Sequence, residues 1–147
     1  MRIVTWNVNG IRAAIRKGLD KFVEKIDADI WMLQEVRCLP EQLPPKWTLP
    51  VGSEMILHPA EKKGYSGVST ISRVEMKEIG RGMKGSLDPE DSEGRVLVTQ
   101  HGEITLVNTY LPSGSSKEER QRYKEEWMAQ WRDFIKPMFD SDNPVIV

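Results

Sequence analysis

Two runs of β character, RIVTWNV at 2–8 and DIWMLQE at 29–35, flank a single amphipathic stretch, IRAAIRKGLDKFVEKI at 11–26. Strand, helix and strand in this order close as a parallel pair with a crossover, and that unit constrains the fold more than any other feature of the chain. Gly18 divides the helical stretch in two, and Leu19, Phe22, Val23 and Ile26 fall on one face of its second piece. A parallel pair puts the C-terminal ends of both strands on one edge of the sheet, where ligands bind in α/β folds. Asn7 and Asn9 follow the first strand at that edge, and Gln34 and Glu35 close the second. A carboxylate beside amide oxygens, with no soft donor near, suits a hard ion such as Mg²⁺. The plainer alternative is that the asparagines make turn hydrogen bonds and Glu35 is a solvated charge.

The remainder alternates in the same way. Four prolines between Leu39 and Pro50 make that stretch a loop or a short helical turn. EMILHPA, GVSTISRVEMKEI, RVLVTQ and EITLVNTY read as strands, and the His-Gly pair between the last two predicts a hairpin. The glycine-rich loops EKKGYSG and RGMKGSLDPEDSEG separate the others. Ser115 and Glu118 have capping-box spacing and open a helix with Tyr123, Trp127, Trp131 and Phe134 in a stripe, which is more simply a core face than a base-stacking platform. The chain ends SDNPVIV, a turn followed by a β-branched run that reads as a strand entering a core.

At 147 residues, 39% hydrophobic and 29% charged, the chain has the composition of one soluble globular domain. Its net charge of −1 exerts no global pull on nucleic acid, so such a partner requires a local basic patch. Cys38 is the only cysteine, which excludes an internal disulfide and a cysteine-based zinc site. The N-terminus lacks the apolar stretch of a signal peptide, and no later segment is apolar enough to span a bilayer. A cytoplasmic protein without a membrane partner is expected.

IVTWNVNGIRA, WMLQEVRC, GYSGV, SEGRVLV and NTYLPSG occur in the order and approximate spacing of the exonuclease III type of apurinic/apyrimidinic endonuclease, which the chain resembles from residue 1 to 147. The resemblance implies an α/β fold, part of a four-layer α/β sandwich of two β-sheets flanked by helices. It also implies DNA as partner, at an abasic site or a 3′ end, and Mg²⁺ or Mn²⁺ as cofactor. In the family a strand like PVIV runs on into a Gly-Asp-x-Asn segment that carries catalytic residues. The expectation is therefore that residues 1–147 form the N-terminal part of a single domain, incomplete at the C-terminus, which self-associates or pairs with a C-terminal half.

Carried over residue by residue, Glu35 resembles the metal-binding carboxylate and Asn7 the amide beside metal and phosphate, with Asn9 in support. Tyr110 resembles the phenol that reaches the scissile phosphate; its alternative is an aromatic with the ring in the core. Arg12 and Lys17 resemble backbone-phosphate contacts and Tyr65 a further DNA contact, while Glu93 and Arg95 match a segment better read as a structural ion pair. His58 and His101 lie outside these motifs and are poor candidates for a general base. The function implied is a DNA-repair nuclease that attacks the phosphodiester with water, with this chain inactive on its own. The alternatives are a phosphoesterase of the same superfamily acting on RNA, a phosphoinositide or sphingomyelin, and a non-catalytic binding or assembly module.

Overall fold

The computed structural model describes residues 1–85, 88–114 and 118–147. Strand β1 (Ile3–Asn7), helices α1 (Ile11–Arg16) and α2 (Leu19–Ile26) and strand β2 (Ile30–Gln34) form the strand–helix–strand unit, with β2 parallel to β1 and Asn7 opposite Gln34. Gly18 separates the helices at φ 94°, a left-handed backbone that glycine adopts without steric cost. The proline-rich stretch makes a 3₁₀ turn over Pro40–Gln42. Strands β3 (Glu54–His58) and β4 (Val68–Ser72) complete a first sheet in the order β1-β2-β4-β3, in which β4 is antiparallel to both neighbours. A second sheet runs β5 (Lys77–Arg81), β6 (Val96–His101), β7 (Ile104–Thr109) and β8 (Val145–Ile146), and only its last pair is parallel.

The period-2 alternation of each strand sorts side chains into layers. Trp31 and Leu33 of β2 join Ile11 and Ala14 of α1 and Leu19 of α2 in one core cluster. Ile30 and Met32, on the other face of β2, pack with Leu106 of β7 between the sheets. Val96, Val98 and Val107 meet Trp127 and, around it, Tyr123, Trp131 and Phe134 of α3 (Glu118–Phe139) on the outer face of the second sheet. Helices, sheet, sheet and helix make four layers, and the aromatic stripe of α3 is a core face. Among the described residues no helix is long and apolar enough to cross a membrane.

The layer between the sheets is unusually polar. Gln34, Asn108, Thr99 and His101 are all buried there or at its rim. Gln34 Nε2 donates to Asn108 Oδ1 at 2.8 Å and to Thr5 Oγ1 at 3.0 Å, while Asn108 Nδ2 donates to the carbonyls of Leu33 and Ser69 at 3.3 and 2.9 Å. The bonds of Asn108 cross from one sheet to the other and fix their alignment, while the Gln34–Thr5 bond lies within the first sheet.

The structure departs from the sequence reading in three places. GVSTISRVEMKEI is two strands, not one, because the chain leaves the first sheet after Ser72 and enters the second at Lys77. The hairpin turn falls on Gly102 and Glu103, since His101 still pairs with Ile104. Only the first residue of the terminal strand reaches the core: Val145 packs against the cluster around Trp127, whereas Ile146 and Val147 are 41% and 46% exposed. The expected cap at Ser115 lies outside the described residues.

Replacing Asn108, fully buried with its amide engaged on both sides, by Leu strands two backbone carbonyls. Urea unfolding should show a loss of about 2–4 kcal/mol; a loss below about 0.5 kcal/mol would mean that the amide does not align the sheets.

Candidate active site

β1, β2 and β7 end at a common edge, and a lattice of backbone hydrogen bonds extends the sheet beyond them. Val8, Gly10 and Ile11 donate to the carbonyls of Gln34, Glu35 and Val36, and Val36 and Arg37 donate to those of Gly67 and Ser66. Within this lattice Glu35 and Arg37 take positive φ values of 58° and 48°. Such backbone angles in residues with a Cβ persist only where the surroundings hold them. The result places both side chains on one side of the chain, so that an Arg37 Nη2 donates to Glu35 Oε1. Asn7 Nδ2 donates to Glu35 Oε2 at 2.8 Å, and the Asn7 oxygen accepts the backbone N–H of Asn9 at 3.0 Å. Asn9 thus supports the cluster through its main chain, which turns there at φ 46°.

Tyr110 follows β7, and its hydroxyl meets the same carboxylate. Burial raises its pKa, and the charge of Glu35 and a hydrogen bond to it add to that, against smaller opposing effects of Arg95 and Arg37. The phenol therefore keeps its proton at neutral pH and remains a hydrogen-bond donor. The guanidinium of Arg95 lies 4.9 Å from the centre of the Tyr110 ring and 5.9 Å from that of Tyr65. This arginine is 1% exposed. Its Nε donates to Glu93 at 2.7 Å, its Nη1 to the Tyr110 carbonyl at 2.9 Å and its Nη2 to the Tyr65 hydroxyl at 3.1 Å. Arg120 of α3 donates to the same hydroxyl at 2.8 Å and to Glu93 Oε2 at 2.9 Å. Burial pushes the Glu93 carboxyl up, but the hydrogen bonds and charges of Arg120 and Arg95 outweigh it and hold it below the usual range.

The loop that presents Glu93 and Arg95 is pinned from beneath. Asp91 Oδ2 accepts the backbone N–H groups of Arg95 and Val96, each at 2.7 Å, and stands 2.9 Å from His58 Nε2. A Cβ on Gly94 would stand 2.6 Å from the Pro59 carbonyl carbon, so only glycine lets the backbone approach so closely between the two functional side chains. His58 is thus a buried structural partner of Asp91, and His101 lies between Ser72 and Thr99.

Of the residues singled out in the sequence, Asn7, Asn9, Glu35, Tyr110, Arg95, Glu93 and Tyr65 form one connected cluster. Arg12 and Lys17 stand apart from it on α1: Arg12 is half-buried near the Cys38 thiol, whose pKa burial raises and Arg12 opposes, and Lys17 is the exposed C-cap. Arg37 and Arg120 are members that the sequence reading passed over. Arg37 sits inside the WMLQEVRC motif, two residues after the carboxylate it binds, so its position was a usable signal. Arg120 carried none, because its partners Tyr65 and Glu93 are 55 and 27 residues away.

As for a metal, Mg²⁺ is held by one or two protein carboxylates together with water and phosphate oxygens. Glu35 can be one such ligand. Asn7 is a weaker one, since its oxygen already accepts a hydrogen bond. Among the described residues no group of three His, Cys, Asp or Glu side chains comes together.

The chain matches, over residues 4–147, the family described as the Endonuclease/Exonuclease/phosphatase family. It is 29% identical over 153 residues to exodeoxyribonuclease III of Haemophilus influenzae, covering 100% of this chain and 55% of that protein. To the DNA repair nuclease APEX1 of Danio rerio it is 33% identical over 156 residues, covering 100% of this chain and 47% of the other. The solved structure of the 3'-5' exonuclease NExo of Neisseria meningitidis superposes with a TM-score of 0.82 at 25% identity, over 95% of this chain and 53% of that one. The chain spans about half the length of the curated relatives it matches.

The raised pKa of Tyr110 has a measurable consequence. A folded-state value above the unfolded one contributes stability that is whole below about pH 10 and is lost as pH rises through the folded value. In an ultraviolet titration the phenol missing from Tyr110→Phe should ionise above the ordinary range, and Glu35→Gln should bring it part of the way down, because burial persists. A Tyr110 transition that Glu35→Gln leaves in place would show that the two groups are not coupled.

Proposed function

The chain belongs to the endonuclease/exonuclease/phosphatase family, and from that premise we propose that it contributes the metal-side and phosphate-side groups of a Mg²⁺-dependent phosphodiesterase acting on DNA at abasic sites or 3′ ends. The observation that carries this reading is the meeting of Glu35, Asn7 and Tyr110 at one sheet edge, with Arg95 against the Tyr110 ring. Hydrolysis of a phosphodiester develops charge on the non-bridging oxygens, and preformed donors aimed at that charge lower the barrier. The protonated Tyr110 hydroxyl becomes such a donor when it turns from Glu35 to the phosphate. Asn7 holds Glu35 in one rotamer, and Glu35 would hold the metal, which when bound would polarise the phosphoryl oxygen and orient it.

The groups that act on Tyr110 are Glu35, Arg95 and Arg37, none of which is a base able to take a proton from water: two are guanidiniums and the carboxylate is engaged on both oxygens. The water-activating base is therefore proposed to come from other residues, and a general base typically contributes ~10²–10⁴-fold to such a rate. Arg12 and Lys17, on the helix that leaves the site, are proposed to contact the DNA backbone. Tyr65 offers it a further hydrogen bond.

Two measurements test this. The purified chain should bind Mn²⁺ weakly, read from the paramagnetic signal of the free ion, and Glu35→Gln should remove the binding. The same chain should give no measurable incision of an abasic duplex in Mg²⁺; incision that disappears in Glu35→Gln would sink the claim that a base is lacking. On that duplex Arg12→Ala and Lys17→Ala should each weaken binding and lower the salt slope by about one unit, the mark of one lost phosphate contact. Unchanged slopes would make them ordinary surface charges.

A further inference from the structure

Glu35 is engaged on both carboxylate oxygens, and its two partners differ in kind. Asn7 is a neutral amide that donates to Oε2, whereas Arg37 brings a full positive charge to Oε1. The root of the Arg37 side chain is fixed: the N–H groups of Val36 and Arg37 donate to the carbonyls of Gly67 and Ser66 at 3.0 and 2.8 Å, and the residue sits at φ 48°. Its stem runs beside the loop 7–10, where a Cβ on Gly10 would stand 4.0 Å from the Arg37 Cδ. Its head is not fixed. The guanidinium makes no other side-chain bond among the described residues, and the Arg37 side chain is 44% exposed against 12% for Glu35. Its charge also reaches the Tyr110 phenol.

We propose that Arg37 is an exchangeable arm, which covers Glu35 until a divalent cation binds that carboxylate and then turns to a phosphate of the DNA. This rests on the reading of Glu35 as a metal ligand. A carboxylate oxygen keeps a second lone pair beside a hydrogen bond, but an ion there would stand within about 4 Å of the guanidinium, and like charges that close repel. The neutral Asn7 raises no such conflict, so Arg37 is the partner that yields. On the arginine side the pair is open to water, so separating it costs little. A guanidinium that leaves a carboxylate offers a phosphate the same planar fork of donors. Without the ion, a bare Glu35 would repel that phosphate, and Arg37 cancels its charge. Binding of the ion and binding of the phosphate are thereby coupled through one side chain.

The test measures Mn²⁺ and DNA binding on the full chain. With Mn²⁺ read from the paramagnetic signal of the free ion, in the absence of DNA, Arg37→Ala should tighten binding about two- to five-fold, the range that a partly exposed ion pair allows. Arg37→Gln, which keeps most of the stem, should do the same, whereas loss of a residue needed only for the fold would weaken binding. The salt slope of abasic-duplex binding should be unaffected by Arg37→Ala in EDTA and lowered by about one unit with Mn²⁺ present. The proposal is overturned if neither variant binds Mn²⁺ more tightly than the wild type, or if the slope changes equally with and without the ion. Mn²⁺ binding that persists undiminished in Glu35→Gln would overturn the metal-side reading and this proposal with it. Binding lost in Glu35→Gln but unchanged in both Arg37 variants would overturn this proposal alone.

Discussion

The hydrogen bond from Gln34 to Asn108 joins two sheets that could otherwise slide on each other. Ile30, Met32 and Leu106 would pack acceptably in several alignments, since hydrophobic contact is not directional. A buried amide is different, because leaving it unpaired in a medium of low dielectric is expensive. Asn108 satisfies its own donors on the carbonyls of Leu33 and Ser69, so one side chain reads the positions of β2 and β4 together. Glu35 is the next residue after Gln34, and Tyr110 is two beyond Asn108. An alignment error in the sandwich would therefore appear directly as a separation of carboxylate and phenol.

Charge is distributed locally in a way the net value hides. Around the site stand three guanidiniums, Arg37, Arg95 and Arg120, with the carboxylates of Glu35 and Glu93 between them and Asp91 beneath, held against His58, so cationic groups gather here in a chain whose formal net charge is −1. The objection that the chain exerts no global pull on a polyanion thus loses force at this edge. Burial adds to the effect. Arg95 is withdrawn from solvent, so its charge is screened less than that of a surface lysine.

How much of this could be read from the residues depends on how local each cause is. The strand–helix–strand unit was legible because periodicity, the break at Gly18 and strand length all act within a short window. The face of α3 was legible for the same reason. The division of 67–79 between two sheets was not, because Arg73–Met76 carries no strong turn signal and which sheet each half joins is decided by distant strands. PVIV was legible as a strand but not in its depth, because β-branched composition reports strand propensity and not burial: Val145 packs against a core cluster while Ile146 is exposed. Within the site, the motifs marked Glu35, Asn7 and Tyr110. That Arg120 and Arg95 converge on one phenol is a fact of tertiary structure alone.

The two phenols of the site serve as donors for different reasons. Tyr110 is kept protonated by burial and by the neighbouring Glu35 charge. Tyr65 accepts N–H bonds from both Arg95 and Arg120, which occupy the lone pairs of its oxygen and leave its own proton to point away from the guanidiniums. Both hydroxyls are thus donors, and Arg95 stands against both rings. Donors anchored by buried charge need little reorganisation to meet an anion, which is the condition under which electrostatic stabilisation is strongest. The carboxylates of Glu35 and Glu93 hold these donors and guanidiniums in place, so the arrangement is set before any phosphate reaches it.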